Sequence, residues 1–290
     1  METEKNIKKD ALGDRMKRYE NITRTHLMPR SYSFVRADGR AFHSYLKGCL
    51  KPFDHGVVDD MTNTAIYLCE NIQNAKLGYV QSDEITILLC DFENYETSQF
   101  FDGNIQKISS VVASMAAAQF NLLRLKRDII KTNFISPYAW DNVKLASFDC
   151  RCWNVPDRFE AYNTFVWRNQ DCSRNSVSML AQSMFSEKEL HGKSTREKIQ
   201  MTEIKEEGAI GWKSLNSDLR FGRIIQKDRY LTHQDEEHIK NAWDTITGHA
   251  KHDLSKITVP VERTRWIERP AWRFTDDRDA LLKLIPKYES

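Results

Sequence analysis

The order of strand and helix patterns between residues 31 and 155 is the feature that most restricts the fold of this 290-residue chain. "YSFVRA" alternates as a strand, and apolar spacing predicts a helix from about Gly56 to Ala75. Two short strand patterns follow, "LGYV" and "EITILLCDF", then a second helix ending in the basic "RLKR" (124–127), then the strand "LASFDCRCWNV". This β-α-β-β-α-β order predicts an α+β, ferredoxin-like antiparallel sheet with its helices on one face.

The predicted topology brings distant carboxylates together. A right-handed crossover makes the first two strands parallel and places the third between them. Asp38 follows the first strand, and Asp83 and Glu84 precede the third, so the three meet at one sheet edge. Adjacent carboxylates repel unless a cation separates them, and magnesium binds carboxylates together with substrate phosphates. The edge therefore predicts a magnesium site suited to phosphoryl transfer.

Taken alone, Asp38-Gly39 after an alternating segment indicates a hairpin turn, and "QSDE" is an ordinary polar turn. The segment that follows, "SYLKGCLKPFD", is interrupted by glycine, lysine and proline and offers no partner strand. Gly39 lacks a Cβ, so the backbone can approach a metal or phosphate closely. Amides 39–43 are placed to line a triphosphate, with positive charge nearby from Arg36, Arg40, His43 and Lys51.

The composition restricts the class of protein. A formal net charge of +2 indicates no general attraction to nucleic acid, so an RNA site has to be a local patch. A charged N-terminus and the lack of a long apolar run predict a cytoplasmic protein with no signal peptide and no membrane partner. Six scattered cysteines without a C-x-x-C pair indicate reduced thiols rather than a zinc site.

The remaining segments divide the chain into an N-terminal helical segment (1–30), the sheet-forming region (31–155) and a C-terminal region (156–290). The first contains an amphipathic helix pattern over 9–26. The last is mainly helical at first and then irregular and rich in tryptophan and arginine. Its Trp266 and Trp272, interleaved with arginines, would either stack on bases or pack in the fold. "RLKR" would bind RNA phosphates or be a solvated helix end.

"VRADGRAFH", "KPFD" and "GYVQSDE", in this order, resemble the histidine-tRNA guanylyltransferase family and, within it, the guanylyltransferase-like branch of 3′–5′ RNA polymerases. The similarity covers most of the chain and extends to "LGDRMKRYE", "FDCRCWNVP", "WRNQDCSRNSVSMLAQ", "KELHGKS" and "RTRWIERPAW". It implies a polymerase-like palm over 31–155 and a fingers-like region over 156–290 that contacts RNA and other subunits. It also implies two Mg²⁺ ions and a homotetramer.

The implied reaction extends tRNA or tRNA-like RNA at its 5′ end. ATP, or an existing triphosphate, activates the 5′ phosphate, and the 3′-hydroxyl of an incoming nucleotide, typically GTP, then attacks it. By resemblance, Asp38 and Asp83 are metal carboxylates, the Gly39 carbonyl is a further ligand, and Glu84 is a third catalytic carboxylate. The implied nucleotide site comprises Asp38, Gly39, Arg40, Ala41, Phe42, His43, Lys51, Asp54, Ser82 and Asp83. Within it, Lys51 would contact phosphate, and Asp54 the base or ribose. The predicted RNA contacts are Arg36, Arg174, Asn175, Lys188, His191 and Lys193.

Two departures bear on specificity. Residues 173–176 read Ser-Arg-Asn-Ser where eukaryotic relatives carry H-I-N-N, and Ala41 stands where many relatives carry Asn. They favour template-dependent 5′-end repair over strict addition of one G to histidine tRNA. A palm-type nucleotide cyclase or oligonucleotide synthase remains an alternative. A non-catalytic RNA-binding module is a weaker one, because such modules stack bases on strand aromatics, and "ITILLC" has none.

Overall fold

A computed structural model describes residues 11–132, 144–204, 210–233 and 260–288. In chain order the elements are α1 (Ala11–Asn21), β1 (Tyr32–Gly39), α2 (Phe42–Tyr45), α3 (His55–Asn71), β2 (Ala75–Gln81), β3 (Glu84–Cys90), α4 (Ile105–Thr132), β4 (Phe148–Val155), α5 (Arg158–Met184), α6 (Glu187–Leu190), α7 (Thr195–Ile204), α8 (Ser217–Phe221), β5 (Arg223–His233), β6 (Pro260–Pro270) and α9 (Arg278–Leu284).

The strands form one antiparallel sheet in the order β4-β1-β3-β2-β5-β6. β3 lies between β1 and β2 and is antiparallel to both, which confirms the predicted α+β, ferredoxin-like arrangement. Every residue of β3 is buried, because helices cover both faces of this central strand. Its continuous apolar run "ITILLC" is typical of a strand covered on both sides.

Alternate residues of the strands pack into two separate cores. On one face, Val35, Ile85 and Ile87 pack with Met61 of α3 and Val112 of α4. On the other face, the opposite residues of the same strands pack with α5 and α9 through Phe34, Leu88, Phe165, Leu180 and Leu281. The two helices of the predicted unit therefore share one face of the sheet, and the C-terminal region covers the other.

The C-terminal region also contributes two strands that the sequence pattern did not predict. β5 pairs with β2 through residues 223–225 only, and beyond that point β5 and β6 continue as a two-stranded ribbon. Ile224 and Ile225 are buried, whereas Lys227 and Arg229 are exposed, so the strand pattern is apolar for only a few residues. The sheet thus continues past residue 156, where the sequence pattern divides the chain.

α1 confirms the amphipathic helix predicted over 9–26 but is shorter, and residues 9 and 10 lie outside the described part. The helix buries none of its own residues. Its apolar side chains Leu12, Met16 and Tyr19 are 60%, 45% and 63% exposed. This stripe is therefore uncovered within a single chain.

Among the described helices, Ile105–Ile130 of α4 is long and apolar enough to cross a membrane by length and composition alone. A single helix of this kind is weak evidence for a membrane span, since core helices pass the same test. Ile108, Val112, Ala116 and Phe120 of this helix pack into the core against the sheet.

Candidate active site

The ends of β1 and β3 bring the predicted carboxylates together. Asp38 lies opposite Glu84 in the β1–β3 register and opposite Asp149 of β4. The Gly39 amide donates a hydrogen bond of 3.0 Å to the Asp83 carbonyl. The structure therefore places Asp38 and Asp83 at one sheet edge, where the topology predicts them.

The negative charge of this edge is only partly compensated by nearby arginines. Burial raises the pKa of the Asp38 carboxyl, and Asp149 raises it further, against the opposing effect of Arg36. Burial also raises the pKa of Asp83; a hydrogen bond from Ser82 opposes this, and the Asp38 and Glu84 carboxylates add to it. Each pKa rises because a partly desolvated carboxylate has other carboxylates beside it.

Two carboxylates and a backbone carbonyl suit magnesium, which usually takes one or two protein carboxylates and completes its shell with water and substrate phosphates. Within the described ranges, no group of three or more His, Cys, Asp or Glu side chains could hold a metal ion. A metal at the Asp38–Asp83 edge would therefore depend on nucleotide oxygens for the rest of its coordination.

Glu84 is held in a hydrogen-bonded network. Its Oε1 accepts a bond of 2.8 Å from Arg168 Nε, and Thr86 and Gln81 donate to the same oxygen. Arg168 also donates to Asp171 at 2.6 Å. No sequence pattern predicts a role for Arg168, although it lies in the segment "WRNQDC". The network fixes Glu84 directly beside Asp83.

Arg36, a predicted RNA contact, is 7% exposed. Its Nε lies 3.7 Å from Glu84, and its guanidinium packs against the rings of Trp153 and Trp167. Trp167 is half exposed. Arg36 therefore supplies positive charge beneath the carboxylate edge, with an exposed aromatic ring next to it.

The turn after β1 is shaped by close packing and strain. A Cβ on Gly39 would lie 2.3 Å from the Phe42 ring, so Phe42 packing alone requires glycine here. Ala41 has φ 53°, in the left-handed region that disfavours alanine. Ser82, in the β2–β3 turn, has φ 45°. Both turns at the edge thus hold non-glycine residues at positive φ.

A cavity of about 420 Å³ opens beside this edge, between the segment after β1, the β2–β3 turn, α5 and α8. Its wall includes seven of the predicted nucleotide and RNA residues: Phe42, His43, Lys51, Asp54, Ser82, Asp83 and Asn175. Asp38, Gly39, Arg40 and Ala41 are not among the residues that line it. The wall also contains residues to which the sequence analysis assigned no role, including Gln81, Met179, Gln182, Asp218 and Arg223.

Asp54 has a structural role in addition to its place in the cavity. It caps the N-terminus of α3, accepting from the amide of Val57 at 3.1 Å, and it accepts from the Leu50 amide at 3.1 Å. Burial opposes ionisation, but these amide bonds outweigh it and lower the pKa of Asp54. The carboxylate therefore fixes the segment that carries Lys51.

The other predicted RNA residues lie in α5 and in the segment that follows it. Arg174 and Asn175 contact Asp171 at 3.1 and 3.5 Å. Lys188, His191 and Lys193 are exposed, and Lys193 lies 3.6 Å from Glu197. In contrast, Arg124 and Arg127 of "RLKR" bind the buried Asp60, which shows a structural role for these two side chains.

Comparison with known proteins gives concordant matches. The family model described as Thg1, tRNAHis guanylyltransferase, matches residues 13–156. A solved bacterial tRNA(His) guanylyltransferase (Thg1)-like protein in complex with ATP is 34% identical, covers 95% of this chain and 99% of its own, and has a TM-score of 0.75. A GTP complex of such a protein is 33% identical with a TM-score of 0.70 and the same coverage. The uncharacterised protein R259 of Acanthamoeba polyphaga mimivirus is 29% identical over 82% of both chains.

Proposed function

This chain belongs to the tRNAHis guanylyltransferase (Thg1) family as a guanylyltransferase-like nucleotidyltransferase, and from this premise we propose that it extends RNA in the 3′–5′ direction. The substrates are tRNA or tRNA-like RNA and a nucleoside triphosphate, typically GTP. The observation that carries the proposal is the meeting of Asp38 and Asp83 at one sheet edge, with Asp83 lining a cavity large enough for a nucleotide. The ATP and GTP complexes of the bacterial relatives support nucleotides as substrates.

The reaction joins the 3′-oxygen of the incoming nucleotide to the 5′ phosphorus of the RNA. The bond from that phosphorus to its leaving group breaks, releasing AMP after ATP activation or pyrophosphate from an existing 5′ triphosphate. Asp38, Asp83 and the Gly39 carbonyl would hold two Mg²⁺ ions, which, when bound, offset charge on the attacking and leaving oxygens. His43 and Lys51 line the cavity; Lys51 supplies positive charge for the triphosphate, and the His43 ring can donate an N–H to it.

The RNA reaction we propose is template-dependent repair of 5′ ends. Ser173 replaces the histidine of the eukaryotic H-I-N-N segment, and Asn175 lines the cavity. The exposed side chains of Lys188, His191 and Lys193 follow α5 just after its cavity-lining part. Their exposure lets them contact phosphates, which position an RNA without reading its sequence.

We also propose that the enzyme is a cytoplasmic homotetramer. The uncovered apolar stripe of α1 supports assembly, because burying such side chains against another copy is favourable. Six free thiols suit a reducing compartment. Met16→Glu would place a charge in that stripe and is expected to lower the molar mass measured by light scattering. An unchanged molar mass of the variant would show that α1 does not form the subunit interface.

The decisive experiment incubates 5′-truncated tRNA with labelled GTP, ATP and Mg²⁺. We expect 5′-extended product that depends on Mg²⁺ and on the templating 3′ strand. Addition of a single G to histidine tRNA alone would instead indicate G addition without repair. A product formed without RNA would indicate a cyclase or oligonucleotide synthase. RNA binding without any product would contradict the enzymatic proposal.

A further inference from the structure

The cavity wall contains a buried guanidinium without a hydrogen bond. Arg223, the first residue of β5, is 6% exposed and lines the cavity. Its Nε is buried without a partner, and its nearest carboxylate oxygen, Asp218 Oδ2, is 3.8 Å from an Nη atom. This distance exceeds that of a hydrogen bond. Within the described part of the chain, the Arg223 side chain therefore has one long ion pair and no hydrogen bond.

Arg168 is a buried arginine whose charge is compensated by hydrogen bonds to carboxylates of the protein. It is also 6% exposed, but it donates to Glu84 at 2.8 Å and to Asp171 at 2.6 Å. Burying a charge without such partners is costly. Burial lowers the pKa of Arg223 despite Asp218, consistent with incomplete compensation. The free protein thus retains an unfavourable charge at the cavity.

The sheet register places this charge near the proposed reaction site. Arg223 lies opposite Val80, and Gln81 then leads β2 into the turn formed by Ser82 and Asp83. Gln81 Oε1 is likewise buried without a partner and lines the same cavity. Unpaired polar atoms at two positions of one cavity indicate a ligand that completes their hydrogen bonds.

We propose that Arg223 is a nucleotide-binding residue whose guanidinium donates to an acceptor oxygen of the bound nucleoside triphosphate. This inference rests on the proposed function. A guanidinium donates two parallel bonds to a phosphate or to O6 and N7 of guanine, so the oxygen belongs to the triphosphate or to the base. Asp218 would hold one side of the guanidinium while the remaining donors face the ligand.

Arg223→Met removes the charge and all donors while keeping an extended apolar side chain. Because the lost charge is only partly compensated, the unfolding midpoint of the free variant is expected to stay equal or to rise. The Kd for GTP, measured calorimetrically with Mg²⁺, is expected to increase about tenfold to hundredfold, the loss typical of charged hydrogen bonds. Arg223→Lys keeps the charge and is expected to bind GTP with intermediate affinity.

ATP and inorganic triphosphate distinguish the two acceptors. If the oxygen is on phosphate, Arg223→Met weakens GTP, ATP and triphosphate alike. If it is guanine O6, only GTP affinity falls, because adenine has an amino group at that position. Arg229→Met, a variant of an exposed arginine on the same strand, is the matched control and is expected to leave every affinity unchanged.

An unchanged Kd for all three ligands in both Arg223 variants would overturn the inference, with or without a lower unfolding midpoint. Lys51→Ala separates this failure from failure of the proposed function. If Lys51→Ala weakens GTP binding and the Arg223 variants do not, only the role of Arg223 is wrong. If the unaltered protein binds neither GTP nor ATP, the nucleotide site itself is wrong, and the role of Arg223 with it.

Discussion

Two acidic sites in this molecule differ in how their charge is neutralised. Asp60 in α3 is 2% exposed and receives hydrogen bonds of 3.1 Å from Arg124 and 2.7 Å from Arg127. Asp38 and Asp83 at the sheet edge form no ion pair with a cationic side chain in the described ranges. The first site is complete within the protein, whereas the second retains charge for a ligand, as expected where strain and repulsion serve function.

The largest expected effect is at the incomplete site. Asp83→Asn is expected to lower RNA extension about a thousandfold or more, because metal-assisted charge stabilisation contributes several kcal/mol to phosphoryl transfer. The unfolding midpoint is expected to stay equal or rise, since repulsion with Asp38 is removed. Single-turnover assays and thermal unfolding test both statements. An active variant, or one that unfolds at a clearly lower temperature, would make the edge structural rather than catalytic.

At the complete site the expected effects are reversed. Asp60→Asn removes the buried carboxylate that Arg124 and Arg127 share, leaving Arg127 only its ion pair with Asp59, and is expected to lower the free energy of unfolding by about 3 kcal/mol. Nucleotide affinity of the folded variant is expected to be unchanged. Denaturant titration and calorimetry measure the two quantities. If the variant lost nucleotide affinity strongly but kept normal stability, Asp60 would not be the structural site that the comparison makes it.

Arg168 lies between these extremes, because it pairs within the protein but holds a carboxylate next to Asp83. Arg168→Gln is expected to lower kcat about tenfold, with a smaller change in the KM for GTP, since misplacement of a site by about 1 Å is enough to slow chemistry strongly. It is also expected to cost about 2 kcal/mol of stability by leaving Glu84 underbonded.

Arg168→Lys supplies the control for a positioning role. It restores one charged bond to Glu84 and is expected to recover stability more fully than kcat, because lysine cannot reproduce the forked contact with Glu84 and Asp171. If Arg168→Lys recovers stability and kcat equally, Arg168 has only a stabilising role.

The sequence could predict the position of the two carboxylates but not that of Arg223. Asp38 and Asp83 could be placed together because strand order alone determines which strand ends meet. Arg223 could not, because the described apolar residues that its strand β5 buries are only Ile224 and Ile225, after which it leaves the sheet as an exposed ribbon. A short apolar segment of this kind resembles irregular chain, and only the pairing with β2 identifies it as part of the cavity wall.

The sequence pattern also could not predict which side chains contact each other. "RLKR" could be read as a solvated helix end or an RNA contact, and neither interpretation anticipates its bonds to Asp60, which is 64 residues from Arg124 in the chain. In the same way, Gly39 was expected to allow close approach of a ligand. The structure adds a second requirement that depends on the position of the Phe42 ring.

The smallest expected effect concerns backbone strain, which is present in both turns at the Asp38–Asp83 edge. Ala41 is exposed at φ 53°, where alanine costs about 1 kcal/mol and asparagine is better tolerated. Ala41→Asn is therefore expected to raise the free energy of unfolding by about 0.5 kcal/mol in denaturant titration. Ser44→Asn, three residues on at an exposed helical position, is the matched control and is expected to be neutral or slightly destabilising. Equal effects of the two substitutions would mean that the turn holds no relievable strain, and that the edge differs from the Asp60 site in charge alone.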